Sequence, residues 1–394
     1  MQQIPIAERV SRLKPTAVNS ILAEVRAVQA QGRQVISLMR GEPDFRTPEH
    51  IVDAAVEALR KGRTGYPDNR GEMGLRTAVA SKLQRETGMA FDPASEILVT
   101  DGATLGISSA LLATINEGDE VLLPDPIYDA YQSPIRLAGG VIRTVPSTIV
   151  NGRFSLDPAA LEAAWTPRTK ALILNTPWNP VGTVFTADEL GAIAEFVARR
   201  SVLLISDEIY ERITYDPYHH VSPLKVAPQI RSLCLTVNSF SKTYAMTGWR
   251  LGYCAGPKDL IQAMFLVLQQ SSRGPATFIQ DAGAAALNGP DSPIETMRQE
   301  YARRRALVSE RLAGIEGVRV LEAEGGFFAM VDIRGRGVAS NEARQRLLQE
   351  FGVVVAHGAA YGECGEGTLR VSFASGGENL ERGLERLRAG LTAL

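Results

Sequence analysis

Lys242 stands in the stretch NSFSKTYAMTGWRLGY (residues 238–253), among small and aromatic residues typical of a protein core. It is one of only seven lysines in a chain where arginine supplies most of the positive charge. Apolar surroundings disfavour the charged ammonium, so they lower the pKa of a lysine from about 10.4 and free its amine as a nucleophile. A lysine that keeps its charged end in water would fit the same stretch. Ser239, Ser241 and Arg250 favour the first interpretation, because they add hydrogen-bond donors suited to a phosphate.

Further polar residues stand where predicted strands end. DGATLG (101–106) joins a strand to a helix, and its amides with the positive helix terminus form an anion site. NTPWNPVG (175–182) holds Asn179 before a proline, out of a helix, with its amide presented. SDEIY (206–210) places Asp207 at the end of a buried strand, where a carboxylate needs a partner. Taken singly, each stretch is also explained as a turn or a helix cap.

Together these residues indicate one pocket. In a parallel α/β sheet, ligands bind outside the carboxyl ends of the strands. The pocket would contain a lysine able to form an imine, hydrogen-bond donors for a phosphate and a separate buried carboxylate. This combination predicts a site for pyridoxal phosphate. Asp207 would pair with the pyridinium nitrogen and keep the ring an electron sink. The chain has no complete G-x-G-x-x-G or G-x-x-x-x-G-K-[ST] motif, which disfavours dinucleotide-binding and P-loop interpretations.

The composition excludes several other classes of protein. Of the 394 residues, 45% are hydrophobic and 22% charged, and the net charge is −2. This near-neutral balance predicts no nucleic-acid or anionic-membrane partner. No apolar run approaches the roughly 18 residues of a spanning helix, and the N-terminus lacks the basic and apolar blocks of a secretory signal. We therefore expect a cytoplasmic protein that does not bind membranes.

The cysteines and histidines predict neither disulfides nor a metal site. Cys234, Cys254 and Cys364 are scattered and odd in number, unlike a disulfide framework or a zinc motif. His50 and His357 have no cysteine or carboxylate at metal-ligand spacing, and His219 and His220 lie in a loop rich in proline and tyrosine. We expect no metal.

The elements that must position the pocket residues alternate between strands and helices. Continuous apolar strands separated by helices indicate a parallel sheet covered on both faces. TADELGAIAEFVARR (186–200) begins with the Thr186 and Glu189 spacing of a capping box and predicts a helix. The predicted strands are EILVT (96–100), DEVLLPDP (119–126), KALILNTP (170–177), SVLLISDEIY (201–210) and SLCLTVNSF (232–240).

This pattern predicts an α/β fold with two domains, since 394 residues exceed the usual size of a single core. We assign residues 48–285 to a large domain with a mostly parallel sheet flanked by helices. Residues 1–47 and 286–394 are assigned to a smaller α+β domain, in which the N-terminal segment packs on the C-terminal part.

The ordered set of motifs resembles the class I/II aminotransferases, the fold-type-I pyridoxal-phosphate enzymes, and among them the aspartate-aminotransferase-like branch. The resemblance runs nearly end to end, and Lys242 matches the lysine that carries the cofactor. In chain order the matching motifs are GEPDF (41–45), GYPDNRG (65–71), DGA (101–103), NTPWNPVG, SDEIY, SFSKTYAMTGWRLGY and RVS (370–372).

The resemblance implies a role for each matching residue. Asp207 matches the partner of the pyridine nitrogen, Tyr210 the donor to the ring hydroxyl, and Asn179 the amide that contacts both that hydroxyl and the substrate carboxylate. Tyr128 matches the aromatic that stacks on the ring. Arg370 matches the clamp on the substrate α-carboxylate. The residues that match the phosphate cup are Gly102, Ala103, Thr104, Ser239, Ser241 and Arg250.

Two further matches concern the closure and assembly of the site. Gly41 matches the backbone that closes over the substrate. Tyr66 matches a tyrosine that reaches the phosphate of the neighbouring subunit, which implies a homodimer with shared sites.

The resemblance also implies an amino-group transfer between an L-amino acid and a 2-oxo acid with ping-pong kinetics. The amino acid displaces Lys242 from its imine with the cofactor, and the freed amine moves a proton from Cα to the cofactor. A carbon–sulfur β-lyase or another pyridoxal-phosphate reaction on the same scaffold is the alternative. A regulatory domain of this fold is disfavoured, because such proteins carry an added N-terminal DNA-binding domain and we expect no room for one before Gly41.

The side-chain specificity of the substrate is open. Aspartate-preferring relatives often have a lysine within GGK, whereas this chain reads DGAT, and WNPVG places Trp178 and Val181 near the expected pocket. Either Arg273 supplies the countercharge for an acidic substrate from the neighbouring subunit, or the pocket prefers neutral side chains.

Overall fold

The computed structural model describes residues 4–11, 13 and 15–394. Its helices alternate with strands through the first two thirds of the chain, as an α/β fold requires. The helices are α1 (Glu8–Ser11), α2 (Ala17–Ala30), α3 (Glu49–Arg60), α4 (Met73–Thr87), α5 (Ala103–Thr114), α6 (Gln132–Leu137), α7 (Pro158–Ala164), α8 (Ala187–Arg200), α9 (Pro223–Val226), α10 (Phe240–Thr243), α11 (Lys258–Leu268), α12 (Thr277–Asn288), α13 (Ser292–Leu312), α14 (Ser340–Phe351) and α15 (Gly377–Ala393).

The strands form one large sheet, one smaller sheet and two short pairs. They are β1 (Ile36–Ser37), β2 (Ile97–Thr100), β3 (Glu120–Asp125), β4 (Val141–Pro146), β5 (Thr148–Val150), β6 (Arg153–Ser155), β7 (Thr169–Asn175), β8 (Leu203–Asp207), β9 (Cys234–Ser239), β10 (Gly252–Ala255), β11 (Arg319–Leu321), β12 (Phe328–Asp332), β13 (Val353–Val354), β14 (Ala356–His357) and β15 (Thr368–Ser372).

The large sheet has seven strands in the order β2-β10-β9-β8-β7-β3-β4. Neighbours from β9 to β4 run parallel, which confirms the predicted mostly parallel sheet. β10 is antiparallel to both β2 and β9. Residues 240–251, which include the short helix α10, connect β9 to β10.

Alternate residues of the central strands pack on opposite faces of this sheet. Leu122, Leu172 and Leu204 belong to one apolar cluster, whereas Val121, Ala171 and Ile205 belong to another. Since side chains alternate along a strand, two buried faces require continuous apolar strands, which is the observed pattern. The sheet is therefore covered on both sides, and its polar residues collect at strand ends.

The capping box predicted for α8 is confirmed. The Thr186 hydroxyl accepts a hydrogen bond from the Glu189 amide, and the Glu189 side chain accepts one from the Thr186 amide. Both bonds satisfy donors that the first turn of a helix leaves unpaired.

The C-terminal part of the chain forms a four-stranded sheet in the order β11-β12-β15-β14, with all neighbours antiparallel. The N-terminal segment packs on this part, since β1 pairs in parallel with β13. Ile21, Val25 and Met39 share an apolar cluster with Leu348 and Val354. The predicted α/β fold with a smaller α+β part is thus confirmed, and the boundaries at 47/48 and 285/286 stay a prediction.

Candidate active site

The carboxyl edge of the large sheet gathers the residues that the sequence singled out. Asp207 is the last residue of β8, and Lys242 lies in α10, directly after β9. Gly102 stands between β2 and α5, and Tyr128 follows β3. These strands neighbour one another or are separated by one strand, so their ends converge on one cavity.

The Lys242 amine lies at the centre of this edge. Its Nζ donates a hydrogen bond to the Gly41 carbonyl at 2.5 Å and lies 5.7 Å from the centre of the Phe327 ring. Burial, together with the charges of Arg250 and Arg370, lowers the pKa of Lys242 to about 8 against the opposing effect of Glu42. A substantial fraction of the amine is therefore neutral near physiological pH, as a nucleophile or a base requires.

Asp207 is buried, with 2% of its surface exposed. Its Oδ2 accepts a hydrogen bond from the Tyr131 hydroxyl at 2.5 Å, and its Oδ1 one from the Ile209 amide at 3.3 Å. Burial raises the pKa of Asp207 to about 6, although the Tyr131 bond opposes that shift. The carboxyl group lines the same cavity as Lys242 and is oriented there by Tyr131.

Tyr131 was missed by the sequence analysis. It stands three residues after Tyr128, at the end of a 3-10 turn over Asp129–Tyr131, and its ring meets the Tyr128 ring edge-on at 5.3 Å. The repeated aromatic in YDAY was the available signal, but the sequence alone did not reveal that its hydroxyl reaches Asp207.

A concave group of amides, hydroxyls and a guanidinium lies beside Lys242. Gly102 has a φ of +84°, and a Cβ built there would lie 2.5 Å from the Arg250 guanidinium. Arg250 itself has a left-handed backbone, with a φ of 53°, and donates from Nη1 to the Thr247 carbonyl. Ser239 and Ser241 are joined by a hydroxyl–hydroxyl bond of 2.8 Å. The members of this group that line the cavity are Ala103, Thr104, Ser239, Ser241 and Arg250.

Two adjoining cavities share the Lys242 side chain. The first has a volume of about 420 Å³ and is lined by Asp207 and the group just described. The second has a volume of about 260 Å³ and is lined by Asn179, Tyr210 and Arg370. Gly41, Tyr128 and Lys242 line both cavities.

Arg370 comes from β15, in the smaller sheet, and lines the second cavity together with Lys242. Its guanidinium donates to Asn179 Oδ1 at 3.3 Å and to the Met39 carbonyl at 3.4 Å. It also lies over the rings of Phe328 and Tyr361, at 4.1 and 4.8 Å. Its Nε is buried without a hydrogen-bond partner, which leaves one donor for an acceptor such as a carboxylate.

Asn179 links the two sides of the site. Its Nδ2 donates to the Tyr210 hydroxyl at 3.4 Å, and its backbone amide donates to Asn175 Oδ1 at 2.7 Å. Asn175 in turn donates to the Asp207 carbonyl. Burial raises the pKa of Tyr210, so its hydroxyl stays a neutral donor.

Other residues named from the sequence lie outside these cavities. Tyr66 is 90% exposed, and Arg273 is exposed in the segment between α11 and α12. Trp178 stacks on Phe185 with ring centres 5.7 Å apart and donates to the Pro126 carbonyl. Trp178 and Val181 are each 3% exposed, and they pack in the core and do not line either cavity.

Comparison with known proteins identifies the family. The family described as "Aminotransferase class I and II" matches residues 33–387. The chain belongs to this family. Its activity is that of a pyridoxal-phosphate-dependent aminotransferase, and its substrates are an amino acid and a 2-oxo acid.

Two curated relatives of this aminotransferase illustrate the match. The aspartate aminotransferase of Geobacillus stearothermophilus is 37% identical over 387 residues, which cover 97% of this chain and 98% of that protein. The aromatic-amino-acid aminotransferase 2 of Thermococcus litoralis is 38% identical over 384 residues, with 97% of each chain covered.

Solved structures agree in fold. The aspartate aminotransferase from Rhizobium meliloti superimposes with a TM-score of 0.95 at 34% identity, covering 99% of each chain. A single mutant of the Thermus thermophilus aspartate aminotransferase gives a TM-score of 0.92 at 37% identity, covering 98% of this chain and 100% of that one.

The residues of this aminotransferase fit pyridoxal phosphate. The first cavity lies within the range of about 300–1,000 Å³ usual for cofactor sites. It combines the Lys242 amine, the buried Asp207 carboxylate and several hydrogen-bond donors that can bind a phosphate. These donors surround the start of α5, where Gly102 carries no side chain.

In the part of the chain that the structure describes, no helix is long and apolar enough to cross a membrane. One trio of side chains there, Glu208, Glu211 and His220, brings its ligand atoms within 4.8 Å of one another. Glu211 pairs with Lys82 at 2.8 Å, and Glu208 accepts hydrogen bonds from Ser206 and Ser222. These side chains thus already have protein partners.

Proposed function

We propose that this aminotransferase moves the amino group of an L-amino acid to a 2-oxo acid at the junction of the two cavities, in two half-reactions. The observation that carries this proposal is the Lys242 amine, with its pKa lowered to about 8, at a wall shared by both cavities. The first cavity offers Asp207 and hydrogen-bond donors for a phosphate, and the second offers Arg370. An amine at that junction can reach a cofactor carbonyl on one side and a substrate on the other.

The first cavity holds the cofactor in this proposal. Asp207 pairs with the pyridine nitrogen, Tyr128 packs on the ring, and Tyr210 and Asn179, from the wall of the adjoining second cavity, bind the ring hydroxyl. The phosphate is bound by the α5 start and the neighbouring donors, namely Gly102, Ala103, Thr104, Ser239, Ser241 and Arg250. When bound, pyridoxal phosphate supplies the electron sink that makes removal of a Cα proton feasible.

The second cavity binds the substrate. Arg370 and Asn179 hold the α-carboxylate, and the Gly41 backbone closes over it. Arg370 suits this task because its guanidinium is fixed by Asn179 and by two aromatic rings, yet its Nε lacks a partner. The Lys242 amine, in its neutral form, takes the proton from Cα and returns a proton in the reverse half-reaction.

We further propose a homodimer in which Tyr66 serves the phosphate of the other subunit. Two observations support a second copy as the partner. Tyr66 is a large aromatic that is 90% exposed and does not line the cavities of its own chain. Val52, Val56 and Leu59 expose an apolar stripe along α3, at the helical spacing typical of a packed face.

A half-reaction assay tests the proposed chemistry. The purified enzyme with its cofactor, mixed with single amino acids, should convert to the pyridoxamine form and release one 2-oxo acid per site. Lys242→Ala should lose this conversion by a factor of about 10³ or more, because the proton carrier is gone. Asp207→Ala should lose several orders of magnitude, at about 1.4 kcal/mol for each tenfold.

Three results would contradict the proposal. A fully active Lys242→Ala variant excludes the assigned amine, and a near-normal Asp207→Ala variant excludes the assigned carboxylate. Release of pyruvate and ammonia without a 2-oxo acid acceptor indicates a β-lyase instead.

A further inference from the structure

Asp129 adds a negative charge to the second cavity. It begins the 3-10 turn that follows Tyr128, and it lines the cavity together with Arg370 and Lys242. Its Oδ2 is buried and has no hydrogen-bond partner. Since buried polar atoms are nearly always paired in folded proteins, an incompletely paired carboxylate on a residue that lines a cavity points to a ligand that donates to this carboxylate.

The two positively charged side chains of this cavity, Arg370 and Lys242, do not form an ion pair with Asp129. Within the described part of the chain, no ion pair within 4.0 Å joins the Asp129 carboxylate to either of them. Arg370 is instead held by Asn179 and the Met39 carbonyl, and Lys242 Nζ donates to the Gly41 carbonyl. Burial raises the pKa of Asp129, although the charge of Arg370 and nearby backbone amides oppose the shift.

The walls that one chain contributes to this cavity offer no further countercharge for an acidic side chain. With Arg370 and Lys242 committed to the α-carboxylate and to Cα, the remaining walls include Val18, Met39, Ile209 and Phe328, and the charged group among the other lining residues is Asp129. A second substrate carboxylate would therefore meet a like charge, which is costly at a buried site. A substrate N–H group would instead satisfy the free carboxylate oxygen.

We propose that Asp129 selects amino donors whose side chain carries an N–H group, a positively charged amine above all, and disfavours dicarboxylic donors. This inference rests on the proposed function, because it assigns Arg370 to the α-carboxylate. Asp129 contacts the substrate side chain in this arrangement, so it determines specificity and leaves the proton transfer to Lys242.

A purely structural role for Asp129 makes a different prediction. The Ala17 amide, at the start of α2, is among the groups that lower the pKa of Asp129. If the carboxylate only stabilises that helix start, its replacement should affect all amino donors equally.

The test compares donors that differ only in the distal group. L-Lysine is measured against L-norleucine, which lacks the side-chain amine, and L-glutamine against L-glutamate, in single-turnover reactions of the enzyme with its cofactor. The native enzyme should favour lysine over norleucine, and glutamine over glutamate, by at least about tenfold in kcat/KM. Asp129→Asn keeps the volume and removes the charge, so it should reduce the lysine preference about tenfold or more while norleucine changes less than about threefold.

Glu363→Gln is the matched control, because it removes one negative charge from an exposed residue outside the cavity. It should leave unchanged the ratios of kcat/KM for lysine over norleucine and for glutamine over glutamate. Equal ratios in the native enzyme and Asp129→Asn, or no preference in the native enzyme, would overturn the proposal. An equal loss of kcat/KM for all donors, with a lowered melting temperature, would also overturn it, because Asp129 would then only stabilise the start of α2.

A binding measurement separates this inference from the proposed function. 2-Methyl-lysine and 2-methylnorleucine have no hydrogen on Cα and cannot be turned over, so their dissociation constants report recognition alone. Tighter binding of 2-methyl-lysine that is lost in Asp129→Asn supports the inference even if no donor is converted, whereas equal binding of both overturns it. Failure of every donor to convert the cofactor counts against the proposed function.

Discussion

At the scale of single residues, the surroundings of Lys242 decide what its amine can do. Burial disfavours the ammonium, and the positive charges of Arg250 and Arg370 act in the same direction. Glu42 and Asp207 oppose this but do not cancel it, so the pKa falls to about 8. A lysine with the ordinary pKa would be almost wholly protonated at neutral pH and unreactive.

The pH dependence of Lys242 labelling should reveal this shift. Only the neutral amine attacks an acylating reagent, so the reactive fraction rises with pH and reaches one half at the pKa. In the cofactor-free protein, the rate of acetylation of Lys242, followed by peptide mass spectrometry, should reach half its maximum near pH 8. Nα-acetyl-lysine, whose side-chain amine is free, is measured alongside, and its acetylation rate should reach half its maximum near the ordinary pKa of about 10.4. A Lys242 profile that coincides with that of the free compound would refute the shift.

At the scale of elements, the start of α5 is shaped by a glycine. Gly102 has a φ of +84° and a ψ of 164°, a conformation that residues with a Cβ rarely adopt. The absence of a side chain also leaves room for the Arg250 guanidinium beside Gly102. Unpaired amides and a fixed guanidinium together make a strong anion site.

Gly102→Ala should therefore weaken cofactor binding by at least about tenfold, because the added Cβ displaces Arg250. Titration of the cofactor-free protein with pyridoxal phosphate gives the dissociation constant. Gly118→Ala is the matched control, since Gly118 has the same φ of +84° but nothing within 4 Å of a built Cβ. It should change the cofactor affinity less than about twofold. Equal losses in both variants would attribute the effect to backbone strain and not to Arg250.

At the scale of the whole molecule, the candidate site is assembled from separate parts. Lys242 and Asp207 come from the large sheet, Arg370 from the smaller one, and Gly41 from the segment after β1. The Met39 carbonyl, which precedes Gly41, accepts a hydrogen bond from Arg370, so the N-terminal segment is tied to the smaller sheet. The proposed contribution of Tyr66 extends this assembly to a second chain.

Mixed dimers test that contribution. Tyr66→Ala and Lys242→Ala chains, each poorly active alone, should form hybrids with one intact site, where Lys242 of the first chain meets Tyr66 of the second. In a 1:1 mixture half of the dimers are hybrids and each has one working site of two, so activity should recover to about a quarter of the native value. Absence of recovery in hybrids verified by native mass spectrometry would indicate self-contained subunits.

The sequence alone determined the fold class and the neighbourhood of Lys242. Continuous apolar strands, a capping box and contiguous motifs such as SFSKTYAMTGWR are local patterns, and local patterns are what a sequence displays directly. The prediction that Asp207, Asn179 and Lys242 share one edge followed from a general property of parallel sheets.

Only the tertiary structure decided the contacts between distant residues. The Tyr131 bond to Asp207 joins residues 76 positions apart, and Arg370 reaches Asn179 from 191 positions away. It also separated Trp178, which is buried in the core, from Asp129, which lines the second cavity and whose Oδ2 has no hydrogen-bond partner. The sequences of the two loops gave no signal for this difference, because burial and pairing depend on which other segments pack against each side chain.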